Sequence, residues 1–152
     1  ISKNEEVRNA VMKFCQARLS TPLLGQLVAE ASIDTPKEYM REMYDEYVER
    51  RNCLIDGLNI IPGVYSPIPM GAFYTVARLP VDDAEKFCAW CLSDFDYEGE
   101  TVMLAPAAGF YTTPGAGKDQ VRIAYVLNKE DLGRALVVLK HALEAYPGRV
   151  EE

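Results

Sequence analysis

The apolar positions of this chain recur first at a helical period and later at the period of strands. Val7, Val11, Phe14 and Cys15 share one helical face. Ser2 with Glu5 three residues on is a capping-box pattern at the start of that helix. Pro22 interrupts it, and a second short helix is predicted over Pro22 to Ala31. The stretch "DTPKE" is the strongest start signal, with Thr35 as cap, Pro36 at the first helical position and Glu38 closing the box. Met40, Met43, Tyr44, Tyr47, Val48, Leu54, Ile55 and Leu58 then form a stripe, with Glu42, Glu46, Glu49 and Arg50 opposite. This predicts a long amphipathic helix ending near Gly57, its stripe read as core rather than as a binding groove.

The texture then changes. Residues 62–71 are turn-rich, with a short strand around Val64. "AFYTVARL" (Ala72 to Leu79) reads as a strand. The next helix is expected to be capped by Asp82 with Glu85, burying Ala84, Phe87, Cys88, Cys91 and Phe95. "TVMLA" (Thr101 to Ala105) reads as a strand, residues 106–120 as a long loop, and "VRIAYVL" (Val121 to Leu127) as a strand with both faces covered. Asn128 caps a last helix with Leu132, Leu136, Leu139 and Leu143 inside, ended by Pro147 and Gly148. The expected fold class is α+β: a small mixed or antiparallel sheet with helices packed on it. One domain is expected over 1–152, helical over 1–58, with sheet and helices over 62–146.

Composition narrows the classes. The chain has 152 residues, 49% of them hydrophobic, enough for a real core. Its net charge of -7 argues against a nucleic-acid surface. No apolar run reaches the roughly 20 residues that span a bilayer, and no secretory signal is visible. The chain starts at Ile1 with no initiator methionine, which reads as a processing or cloning boundary. Four cysteines in a chain of this size need not form disulfides, so a reducing, cytoplasmic setting is expected.

Arg122 is a permanent cation among the apolar residues of "VRIAYVL". Two readings stand side by side: an ion pair with one of the 23 acidic residues, or a clamp for a ligand carboxylate, which the planar guanidinium fork matches bidentately. Other features read more plainly. Cys88 and Cys91 have the spacing of a redox or zinc pair but lie inside a helix with no second pair nearby, so both are core. "GAGKD" (Gly115 to Asp119) lacks the residues and the following helix of a phosphate loop, and reads as a flexible loop with a solvated Lys118. His141, the only histidine, reads as a surface or boundary residue. Lys3 has none of the apolar surroundings of a Schiff-base lysine and reads as solvated.

Several separated stretches then agree. "STPLLGQLVAEA", "PMGAFYTVARLP" and "VMLAPAAGFYTTPGAGKDQVRIAYVLNKEDL" together resemble the C-terminal part of a fold type I, pyridoxal-phosphate-dependent aminotransferase of the aspartate aminotransferase family. The likeness spans nearly the whole chain and rests on the order and spacing of the stretches. It implies an aminotransferase small domain with long N-terminal helices. It also implies that Arg122 binds the substrate α-carboxylate. Gly109 and Phe110 match the family's cleft loop loosely, and Ala107 stands where the family has glycine. No catalytic or cofactor-binding residue is implied within this chain, and no metal.

By the same resemblance, the large domain with the aldimine lysine and most phosphate contacts is absent, and Lys3 does not match that lysine. The complete enzyme is expected to be a cytoplasmic homodimer. It would use pyridoxal phosphate as an electron sink to move an amino group between an amino acid and a 2-oxo acid. The chain alone is expected to be inactive, to hold no cofactor, and to present an apolar face to its large domain. The alternative is a free-standing α+β module that binds an amino acid or small carboxylate as a regulator. A third reading is a structural domain in which Arg122 pairs with an internal acid.

Overall fold

Helix-start chemistry accounts for most element boundaries in the computed structural model, which describes residues 2–150. The elements are α1 (Glu5–Arg18), α2 (Leu23–Ser32), α3 (Lys37–Asn59), β1 (Tyr74–Arg78), α4 (Ala84–Ser93), β2 (Ala105–Pro106), a single 3-10 turn (Ala108–Phe110), β3 (Gln120–Ala124) and α5 (Lys129–Ala145). The sequence reads as one domain. Its contacts gather into two compact units, Ile1–Arg41 and Glu42–Glu152, with the division inside α3.

In the first unit, Asn4 rather than Ser2 caps α1, accepting from the Val7 amide at 3.1 Å. Ser2 Oγ accepts from the Asn4 amide instead. Asparagine and serine cap equally well, so the side chain one residue before the helical run takes the role. Neither α1 nor α2 buries a residue, so their apolar positions stay exposed.

In the second unit, β3 is the middle strand of an antiparallel sheet ordered β1-β3-β2. Thr75, Ala77, Val121 and Tyr125 face a core that includes Leu58, Leu79, Phe87, Leu139 and Leu143. Buried Thr75 is satisfied by Ser66, hydroxyl to hydroxyl at 2.9 Å. Asn59 holds Ser66 in turn by two bonds, donating to its carbonyl and accepting from its amide. The opposite face of the sheet is not covered. Tyr74, Arg78, Arg122 and Ala124 are exposed there. That corrects the expectation of two covered faces: tyrosine and arginine in these alternate positions break the Val/Ile run that a doubly buried strand carries.

Two further boundaries differ from expectation. No strand forms at Val64; Tyr65 makes an isolated bridge to Arg78. β2 has two residues rather than the five of "TVMLA". Beyond it the ladder stops beside an apolar recess of about 400 Å³, lined by Leu54, Met103, Leu104, Ile123, Leu127 and Leu136 among others. α3 ends at Asn59, near Gly57 as expected. Gly57 lets α3 pass close to α5, since a methyl there would run into Leu136.

Asp83 rather than Asp82 caps α4, accepting from the Glu85 and Lys86 amides. Asp82 is engaged elsewhere: its Oδ1 accepts from the Tyr146 hydroxyl at 3.1 Å. Asn128 caps α5 as expected, accepting from the Asp131 amide at 2.8 Å.

Candidate functional site

The open face of the sheet carries the site. Arg122 lies at the centre of β3, opposite Val76 of β1 and Ala105 of β2. Alternation points its side chain away from the core, onto the face it shares with Tyr74 and Val76. Its Cζ atom lies 5.3 Å from the Tyr74 ring centre and 5.2 Å from that of Phe110. Tyr74, Val76, Ala107, Phe110, Tyr111 and Arg122 line a recess of about 210 Å³. Among the described residues no carboxylate pairs with Arg122, and no acceptor takes any of its N–H groups.

The loop after β2 supplies one wall. Ala107 donates its amide to the Gln120 carbonyl at 2.9 Å, which fastens the loop to β3. Ala107 is buried in a right-handed backbone conformation, φ -95° and ψ -11°, that any residue adopts, so alanine costs the loop nothing here. A 3-10 turn follows and places Phe110 over the recess. Gly109 sits in the same turn but does not line the recess, and a side chain there would meet nothing within 4 Å. Tyr111 donates its hydroxyl to Gln120 Oε1 at 2.6 Å, and its ring lies against Gly117, whose φ of +71° and missing side chain admit it.

The structure thus brings Arg122 and Phe110 together, and leaves Gly109 nearby without a contact role. Tyr74, Val76 and Tyr111 line the same recess, and the sequence reading misses them. The period-2 pattern of "AFYTVARL" puts Tyr74 and Val76 on one face, but only the β1–β3 register sets them beside Arg122.

The remaining candidates stay apart from this site. Cys88 and Cys91 are buried in α4, and burial, with Glu85 acting on Cys88 and Cys88 on Cys91, pushes their thiols up to about 11 and about 12. Among the described residues no group of three or more His, Cys, Asp or Glu could hold a metal ion. His141 stacks on Tyr97 at 4.1 Å, its Nδ1 3.3 Å from Glu144.

The loop at Lys118 is tied down rather than free. The Lys118 carbonyl accepts from the Ala84 amide at 2.7 Å and the Asp119 carbonyl from the Leu79 amide at 2.8 Å. These bonds couple the loop to β1's end and to the start of α4. All seven lysines, Lys3 included, are exposed. No helix among the described residues is long and apolar enough to cross a membrane.

No family model matches the chain. Curated relatives do. An aspartate aminotransferase of Pyrococcus horikoshii is 34% identical over 69% of the chain and 25% of its own length. An aspartate aminotransferase of Rhizobium meliloti is 29% identical over 80% of the chain and 30% of its own length. Among solved structures, an alanine aminotransferase of Pyrococcus furiosus superposes with a TM-score of 0.76 at 25% identity, covering 95% of this chain and 36% of that one. The chain is a small-domain segment of the fold type I aminotransferases. The α+β architecture expected of an aminotransferase small domain is the one observed, five helices with a three-stranded antiparallel sheet among the described residues. This aminotransferase segment spans about a third or less of the length of the relatives just named. A free-standing regulatory module is not favoured by these matches.

Proposed function

We propose that the chain supplies the substrate-carboxylate anchor of a pyridoxal-phosphate-dependent aminotransferase, with Arg122 as that anchor. The carrying observation is a guanidinium on an open sheet face, over a small recess, with its donors untaken among the described residues. A structural ion pair would have left an acidic side chain against it. A carboxylate fits the fork by two parallel charge-assisted hydrogen bonds. The ligand class is therefore an amino acid and the matching 2-oxo acid, which share that group. Anchoring the carboxylate fixes one end of the substrate and so restricts the orientations of its reacting carbon.

On this reading the chemistry at the cofactor belongs to the rest of the enzyme, and this chain contributes position and charge.

Arg122→Leu in the complete enzyme tests the reading. Hydrogen bonds to charged groups are worth about 1.5–3 kcal/mol each. With two such bonds lost, the expected result is a raised KM and a kcat/KM lowered by roughly 10^2- to 10^4-fold, the loss of transition-state binding. An unchanged kcat/KM would remove Arg122 from the substrate site.

A further inference from the structure

A guanidinium without an acidic partner has no evident reason to hold one direction. Arginine carries several rotatable bonds, and ordering them on binding costs affinity. In this chain the direction is set by two aromatic rings from different elements. Tyr74 comes from β1 and is itself braced edge-on by Phe73, ring centres 5.8 Å apart at 87°. Phe110 comes from the 3-10 turn, which closes through the Phe110 and Tyr111 amides onto the Ala107 and Ala108 carbonyls. The rings attract the cation through their faces and accept none of its N–H groups. They steer the group while leaving its donors free, which an acidic neighbour would not do.

We propose that Tyr74 and Phe110 are positioning residues that preorganise Arg122 for a carboxylate. The inference rests on Arg122 being the carboxylate anchor and adds what presents it. Each ring on its own contributes about two- to fivefold in carboxylate affinity, the range for an exposed cation–π contact. The attraction depends on the ring and not on the Tyr74 hydroxyl, so phenylalanine and tyrosine are interchangeable at both positions, whereas leucine, apolar but without a π-face, is not.

The test uses this chain with pyruvate as the carboxylate probe, and the side-chain Nε–Hε signal of Arg122 as the geometric readout, assigned by its loss in Arg122→Lys. In the unsubstituted chain the signal is expected upfield of a solvated arginine's, displaced by the two ring currents. Tyr74→Leu and Phe110→Leu are expected to move it toward the position of a solvated arginine. They are also expected to weaken pyruvate binding about two- to fivefold each, while Tyr74→Phe and Phe110→Tyr retain both properties.

If pyruvate binding is lost in Arg122→Leu but the leucine variants leave the signal and the affinity unchanged, the positioning role is overturned and the anchor stands. If Arg122→Leu binds pyruvate as well as the unsubstituted chain, the anchor fails and the positioning role falls with it. A change in thermal midpoint without a change in the Arg122 signal marks the rings as merely structural and overturns the proposal.

Discussion

At the scale of single residues, the thiols show how burial decides chemistry. Cys15 is exposed, Cys53 half-buried, and Cys88 and Cys91 buried. The nucleophile is the thiolate, and burial suppresses it. A thiol-reactive chromogen at pH 8 is therefore expected to label Cys15 quickly, and Cys88 and Cys91 only after unfolding; rapid loss of all four thiols from the folded chain would contradict the burial. The same shifts fix the pH response. Cys88 and Cys91 rise from the ordinary 9.0, and Tyr146 rises from 10.0 to about 12 through burial and its bond to Asp82.

The unfolded chain gives up these protons first, so their contribution to stability is complete below about pH 9 and is lost as pH climbs toward 11–12. The urea midpoint is expected to fall across that window, and Cys91→Ala to flatten the fall. A midpoint that stays level to pH 11 would rule the linkage out.

Elements were legible where local chemistry speaks alone. The caps of α5 and the stripe of α3 can be read because a helix start depends on neighbours three residues away. Where two equivalent caps stand side by side, tertiary contacts choose: Asp82 is drawn to Tyr146, and Asp83 caps α4. Strand lengths were less legible. "TVMLA" has the composition of a strand, yet only Ala105 and Pro106 find partners on β3.

The site divides the same way. Arg122 stood out as a cation in an apolar run, and the resemblance supplied its proposed task. Tyr74 and Tyr111 did not stand out, because strand register and the path of a 14-residue stretch from Pro106 to Asp119 are set by long-range pairing. Asn128→Ala checks the element directly. Losing the cap is expected to cost about 1 kcal/mol, or roughly 2–4 °C in Tm for a chain of this size. An unchanged Tm would mean that the Asp131 amide is satisfied without Asn128.

For the molecule as a whole, the distribution of apolar surface matters more than the net charge of -7. In the first unit Val11, Phe14, Leu24 and Leu27 are exposed on helices that bury nothing. In the second, Met103 and Leu127 stand exposed at the large apolar recess. Patches of this kind drive association in water. Sedimentation velocity is expected to show a weight-average mass that grows with concentration. A single monomer species at every concentration would show that the chain tolerates this surface.

β3 is bonded along both edges, to β1 through Tyr74↔Ala124 and Arg78↔Gln120, and to β2 through Ala105↔Arg122. The backbone under Arg122 is thereby fixed from two sides, while the rings around it sit on an edge strand and on a loop. On the proposed reading of Arg122 as a carboxylate anchor, a lineage can exchange the rim, one aromatic or one loop residue at a time, and keep that anchor where it is. New side-chain preferences then arise by drift at the periphery, without passing through forms that have lost their grip on the group all amino acids share.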